Sequence, residues 1–515
     1  MNPDASQVPG AVAVVLVAIA TLAIGTWGVR FSRTTSDFFV ASRTVRPGLN
    51  ASAIGGEYLS AASFLGVAGL ILTFGAQMLW YPVGWTAGYL VLMVLVAAPL
   101  RRSGAYTLPD FAEARLDSMA VRRLCSLLVA LIGWLYLLPQ FLGAGVTLRS
   151  TLGAPEWLGP VVVALVVLAG VSGGGMRSIT FVQAFQYWLK LTALLIPAMV
   201  LLMIWVGDGA PDPTTAATVS ASATPPEAWS LPVAPGGGQG LYITYSLIVA
   251  TFLGTMGLPH VVVRFYTNPD GRAARRTTLV VLGLLGIFYL LPPVYGALGR
   301  IYAPELATDA AREAIVLELP RLMVSGVLGD VLTGLVTAGA FAAFLSTSSG
   351  LSIAVAGVIS QDVIGRRWGG RRLSGVTAFR LAAIVAVVVP CLVSLLSPDV
   401  GVARTVGLAF AVAASTFCPL LLLGIWWRGL TAAGAAAGLL VGGLGSGTAV
   451  VWTMSTATTS GWAGVLLGQP AAWSVPAALL TMVVVSRLTR DRRPAHADRF
   501  MVRLHTPEAV ELERG

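Results

Sequence analysis

Thirteen times along this chain, a run of about twenty residues passes with hardly a charged side chain. As an α-helix such a run is about 30 Å long, the thickness of a bilayer's hydrocarbon core. The runs lie near 9–29, 48–73, 80–100, 124–148, 157–173, 181–206 and 240–263, then 277–300, 326–358, 376–397, 405–427, 430–454 and 470–486, and they are numbered here as spans 1 to 13. Composition agrees: 56% of residues are hydrophobic and 11% charged, where a soluble protein carries about 25% charged residues. The expected fold class is an all-α polytopic membrane protein of about thirteen transmembrane helices, with residues 1–486 forming one transmembrane domain.

The net charge of +10 is distributed as topology rather than as a nucleic-acid surface. Arginines cluster on alternate loops: Arg30, Arg33, Arg43 and Arg46; Arg101 and Arg102; Arg122 and Arg123; Arg272, Arg275 and Arg276; Arg366, Arg367, Arg371 and Arg372; and the tail from Arg487. The intervening loops are poor in arginine, apart from Arg149, Arg300, Arg312, Arg321 and Arg404. By the positive-inside rule the N-terminus is outside and the tail 487–515 cytoplasmic, as an odd number of spans also requires. The expectation is a multi-pass plasma-membrane protein that touches lipid head groups and no nucleic acid. Span 1 has no basic segment before it and reads as a retained span, not a signal peptide. Cys125, Cys391 and Cys418 lack ligand spacing and read as buried small hydrophobes. Residues 207–239, rich in Pro, Gly, Ser and Thr, read as an extracellular linker, and 301–322 as a short surface helix between prolines. No His/Cys/Asp constellation lies within the spans and the tail is short, so an enzyme is not expected.

Two spans are interrupted. Span 2 carries "AIGGEYLSAASFLG" with Gly55, Gly56, Glu57, Ser60 and Ser63; span 7 carries "GTMGLPHVVVRF" with Gly254, Gly257 and Pro259. Paired interruptions five helices apart point to two inverted repeats, spans 2–6 (about 48–206) and 7–11 (about 240–427), with the binding site at the breaks. Unwinding at Gly55–Gly56 would free backbone carbonyls for a cation, and a second half-helix starting near Ser60 would turn its amides toward an anion. Span 9 holds the hydroxyl cluster Ser346, Thr347, Ser348 and Ser349, in which the Ala343 carbonyl can converge with Ser346 and Thr347 on a hard monovalent cation; packing and back-bonding is the bland reading of the same residues. Glu57 is an intramembrane carboxylate, either for ion coupling or gating or for holding broken backbone. Lys190, the one lysine, is either its partner or a snorkelling anchor, the second preferred. His260 is read as packed and hydrogen-bonded, and "GGGMRS" at 173–178 as a turn.

"GGEYLSAASFLGVAG", "GAYTLPDFAEARL", "GGGMRSITFVQ", "GTMGLPHVVVRFYT" and "AAFLSTSSG", in that order, resemble the sodium:solute symporter family, and most of all its cation/acetate (monocarboxylate) branch. The resemblance implies a five-plus-five inverted-repeat (LeuT-like) transporter fold and Na⁺ as coupling ion. It places the sodium ligands on Gly56, Leu59, Ala343, Ser346 and Thr347. Ser60, Ser63, Gln140 and Thr255 are the candidate substrate contacts. The function expected is inward sodium-coupled symport of a small monocarboxylate, acetate first and propionate or pyruvate next. A sodium- or proton-coupled carrier of proline, a sugar or a vitamin, and less readily a passive channel, stand as alternatives.

Overall fold

The computed structural model describes residues 3–30, 41, 44–215, 224–308, 311–364, 375–396, 401–455 and 461–508. Arg33, Arg43, the arginines at 366, 367, 371 and 372, the middle of the 207–239 loop and the end of the tail lie outside the described residues, as does the side chain of Arg404.

Among the described residues every regular element is helical, and eleven helices are long and apolar enough to cross a membrane. Two of the eleven each contain a reversal. Ala62–Arg102 turns at Gly75 (φ 78, ψ −151), and Leu158–Gly207 turns at Gly175 (φ 58, ψ −157), conformations that glycine alone adopts without strain. Hydrogen bonds fix the direction of each limb. Trp229 Nε1 donates to Ile71 O (3.0 Å) at one end, while Arg101 Nη2 donates to Pro269 O (2.6 Å) at the other. Arg380 Nε reaches Ser172 O (3.0 Å) beside the Gly175 turn, and Tyr302 OH reaches Asp208 at the far end (2.7 Å). Counting both limbs of each reversal gives the thirteen passes expected, so the chain is a multi-pass membrane protein.

Boundaries moved where caps outreach hydropathy. Span 8 is Gly271–Tyr302 and starts before 277, because the Asp270 side chain accepts from Ala273 N (2.6 Å). Span 4 is Met119–Leu152, opened by Ser118 and closed by Gly153 at φ 62. Residues 301–322 correct the surface-helix expectation. The helix there, Ile315–Met323, is fully buried at Ile315, Val316, Leu317 and Leu319. The turn before it lies on span 2 so closely that a Cβ on Gly69 would meet Arg312 O at 2.4 Å.

Both expected breaks exist, one of them displaced. Span 7 is interrupted at Leu258 (φ −72, ψ 119), between Gly238–Gly257 and Pro259–Phe265. Span 2 is interrupted at Leu59–Ser60, after Pro47–Tyr58, with Leu59 at φ −74, ψ 88. Gly55 and Gly56, expected to be the break, are helical instead. Their role is close approach: a Cβ on Gly56 would fall 2.0 Å from Gln183 O, and one on Gly55 would fall 2.8 Å from the Tyr187 ring. The glycine pair thus lets span 6 lie against span 2, and the chain unwinds one turn later.

Candidate ion and substrate site at the break in span 2

A helix break strands backbone groups, and their partners reveal what the site is built to hold. At the Leu59–Ser60 break those partners are side chains from distant spans. Lys190 Nζ, fully buried on span 6, donates to Gly56 O (2.5 Å), Leu59 O (2.7 Å) and Ser346 Oγ (2.5 Å). Ser346 Oγ passes its own hydrogen to Ala343 O (3.1 Å), and Thr347 Oγ1 donates to Glu57 O (2.6 Å). On the other side of the break, Ala61 N donates to Gln140 Oε1 (2.9 Å).

All five residues named as sodium ligands therefore lie together at this break, and the lysine ammonium bonds three of them. Lys190 is neither a snorkelling anchor nor the ion-pair partner of Glu57. When protonated, its Nζ brings three donors and a full positive charge to three oxygens in a buried place. A sodium ion among the same oxygens would face that fixed charge. Two unit charges about 4 Å apart repel by about 4 kcal/mol at an effective dielectric of about 20. With Lys190 protonated, the cage does not suit Na⁺.

The partner of Glu57 is Arg264, on the second half of span 7. Arg264 Nε lies 2.5 Å from Glu57 Oε2, and the two side chains are 1% and 3% exposed. Room for the carboxylate comes from Gly350, where a Cβ would stand 2.1 Å from Glu57 Cδ. The same guanidinium donates to Thr180 Oγ1 (3.0 Å) and to Gln183 Oε1, while Gln183 Nε2 donates to Ser346 O (2.8 Å). One polar network thus ties both broken helices to spans 6 and 9. The sequence does not single out Arg264, which stands one residue beyond the apolar run of span 7 and within a few residues of its break; Gln183 and Thr180 carry no local signal.

Beyond the break is a closed aromatic cluster. Phe410 of span 11 is ringed by Tyr58, Trp85 and Tyr136, with centroids 6.3, 5.5 and 5.8 Å away. Tyr89 packs edge-on to Tyr58 (4.8 Å), His260 to Tyr136 (5.3 Å), and Tyr289 lies tilted beside Trp85 (5.8 Å). The expected substrate contacts border this cluster and are bonded within it. Tyr136 OH reaches Ser60 Oγ (3.3 Å), Ser63 Oγ bonds Tyr289 OH (2.9 Å), and Thr255 Oγ1 bonds Tyr58 OH (2.8 Å). Gln140 is committed to backbone, holding Ala61 N and donating to Tyr136 O (3.2 Å). Among the described residues, His260, read as hydrogen-bonded, is buried with no partner on either ring nitrogen, and Trp85 Nε1 and Tyr89 OH are also buried without partners. From the end opposite Arg101, a cavity of about 460 Å³ lined in part by Phe74, Leu247, Arg312 and Leu408 reaches Tyr81, whose ring lies tilted 5.3 Å from Trp85.

Comparison with known proteins agrees with this architecture. The model of the sodium:solute symporter family matches residues 38–442. The uncharacterized symporter YwcA of Bacillus subtilis (strain 168) is 32% identical over 426 residues, which cover 82% of each chain. A Na⁺-coupled sialic acid symporter, solved substrate-bound and outward-open, superposes with a TM-score of 0.68 at 16% identity, over 93% of this chain and 98% of that one. The fold is the LeuT-like five-plus-five inverted-repeat transporter fold expected. With the family model covering most of its length, the chain belongs to the sodium:solute symporter family of secondary transporters.

Proposed function

We propose that this transporter carries a small monocarboxylate, acetate, propionate or pyruvate, into the cell by symport with a cation. Spans 2–6 and 7–11 are its two repeats, the N-terminus is outside and the basic tail cytoplasmic. The observation that carries the substrate reading is the set of buried donors without partners among the described residues, Trp85 Nε1, Tyr89 OH and the His260 ring, in one closed aromatic cluster beside the break. Buried N–H and O–H groups almost always find acceptors, so orphaned donors together suit a small anion. The aromatic walls suit a short apolar tail. A sugar would need many more polar contacts than these rings offer, and proline would bring an ammonium for which the cluster has no carboxylate.

The break joins the two binding events. On one side the Gly56 and Leu59 carbonyls face Lys190 Nζ; on the other, Ser60 and Ser63 adjoin the cluster. A cation seated at the break fixes its bend, and the bend sets the donors around the carboxylate. The Glu57–Arg264 pair seals the path toward the basic end. One monovalent cation moving with one carboxylate transfers no net charge, so the membrane potential contributes nothing to that step.

The test is uptake of labelled acetate, propionate and pyruvate into liposomes holding the purified protein, with unlabelled proline and glucose as competitors. Short carboxylates should compete with one another while proline and glucose do not. Trp85→Phe and Tyr89→Phe each remove one donor to a charged ligand, about 1.5–3 kcal/mol, and should weaken carboxylate binding roughly tenfold or more. Proline or glucose competing as well as acetate would end the monocarboxylate assignment.

A further inference from the structure

The site's most specific feature is the one that departs from the family's named ion: its cation cage is wired to a side chain. Given the symporter reading above, on which this step rests, we propose that Lys190 is the coupling group and the co-transported ion a proton carried on its Nζ. The protonated amine has three N–H bonds, and the break offers three acceptors, Gly56 O, Leu59 O and Ser346 Oγ. Losing the proton removes one donor and the charge together. At least one of these three oxygens then loses its bond, and the tie from spans 6 and 9 to the first half of span 2 loosens. That is the loss sodium release would cause, reached through one N–H bond. The balance is simple: Nζ takes a proton from water on one side, forming an N–H bond, and returns it to water on the other, keeping the electron pair.

The surroundings leave this role to Lys190. On span 2, Glu57 is held by Arg264, and Tyr58 OH is bonded to Thr255 Oγ1 (2.8 Å). Span 1 has no ionisable residue from 7 to 28, and span 9 has only Asp330, close to its start. On span 4, Tyr136 is bonded to Ser60 and Arg149 to Glu156; Arg122 and Arg123 stand at its start. On span 8, Tyr295 OH is bonded to Leu194 O (2.9 Å), and Arg300 to Thr224 O (3.1 Å). On span 6 itself, Tyr187 OH is bonded to Leu284 O (2.9 Å). Arg380 on span 10 reaches Ser172 O, and Glu318 of the buried 315–323 helix is paired with Arg321.

Full-length protein is reconstituted in liposomes and uptake of labelled pyruvate is followed. Pyruvate is used because its neutral form is scarce at neutral pH and crosses lipid slowly, unlike acetic acid; empty liposomes give the background. With choline replacing Na⁺ on both sides, an inward proton gradient of about one pH unit should support about tenfold accumulation through one coupled proton. Lys190→Arg keeps a positive charge but cannot release its proton, and should show no gradient-driven accumulation above background. Two results overturn the proposal: a wild type that accumulates pyruvate only on a Na⁺ gradient, or accumulation by Lys190→Arg under the proton gradient, which is the rescue a merely bracing lysine would allow.

If no short carboxylate is taken up under any gradient, the substrate reading fails, and the lysine is judged by melting of the purified protein. The wild-type midpoint should ignore exchange of choline for Na⁺, while Lys190→Ala, which opens the cage, should gain a Na⁺-dependent rise. A wild-type midpoint that rises with Na⁺, or a Lys190→Ala midpoint blind to it, would overturn the equivalence of ammonium and ion.

Discussion

The two broken helices occupy corresponding positions five spans apart and are broken by opposite means. Span 7 is broken locally. Pro259 disfavours helical geometry at Leu258, and Gly254 and Gly257 let the end of the first half lie on span 11, where a Cβ would meet Phe410 O at 2.5 Å and Ala413 O at 2.2 Å. Span 2 contains no proline at its break. Leu59 stays unwound because Lys190 holds the freed carbonyls, Gln140 holds the Ala61 amide, and Thr347 bonds the Glu57 carbonyl. A proline break is permanent, whereas a break held by side chains lasts only as long as those side chains keep their bonds. The contrast assigns the two helices different work: the span 7 break is scaffold, and the span 2 break can respond to a proton or an ion.

The largest expected effect breaks the link between them. Glu57 stands just before the first break and Arg264 just after the second, both buried. Arg264→Ala leaves an uncompensated buried carboxylate and should destabilise by about 3–5 kcal/mol, read as a lowered melting midpoint of the purified protein. Replacing both charges together, Glu57→Gln with Arg264→Met, should recover most of that loss. A double variant as unstable as the single one would mean that the pair is not the bond joining the two helices.

Next in size is the close approach that positions Lys190. Gly56→Ala drives a methyl to within 2.0 Å of Gln183 O, a backbone atom that cannot swing away, and so should separate span 6 from span 2. Overpacking of this kind costs about 1–3 kcal/mol. The same shift should draw Nζ off Gly56 O and Leu59 O, so Gly56→Ala should also lose gradient-driven uptake. Normal uptake in this variant would separate the glycine from the cage.

How much of this was legible in the sequence follows from the same contrast. The thirteen passes were readable because each apolar run declares itself. The span 7 break was readable because Gly-Leu-Pro acts on its own backbone. The sequence points to Gly55–Gly56 as the span 2 break, since glycine pairs weaken helices in general; that these two face the Gln183 carbonyl and the Tyr187 ring is a fact about span 6. Lys190 reads as an anchor because its partners lie 131 to 156 residues away, and the partner of Glu57 stays open because it is 207 residues away. The residue set Gly56, Leu59, Ala343, Ser346 and Thr347 came from motif resemblance and from helix geometry in span 9; what stands among them did not. The aromatic cluster is invisible in the sequence, its rings being drawn from spans 2, 3, 4, 7, 8 and 11 at spacings ordinary for membrane helices.

The smallest effects compare the breaks directly. Gln140→Ala removes the acceptor for Ala61 N and leaves a buried amide unpaired, at about 1–3 kcal/mol. Pro259→Ala should cost less than about 1 kcal/mol in stability. Proline at the first helical position forgoes an N–H that would be unpaired in any case, and Leu258 at φ −72, ψ 119 sits in ordinary extended backbone that the glycine contacts with span 11 continue to hold. Transport should follow the same order, with Gln140→Ala impaired and Pro259→Ala close to wild type in uptake rate. If Pro259→Ala proved the more damaging of the two, the proline break would be the one that moves during transport, and the assignment of scaffold and switch would have to be exchanged.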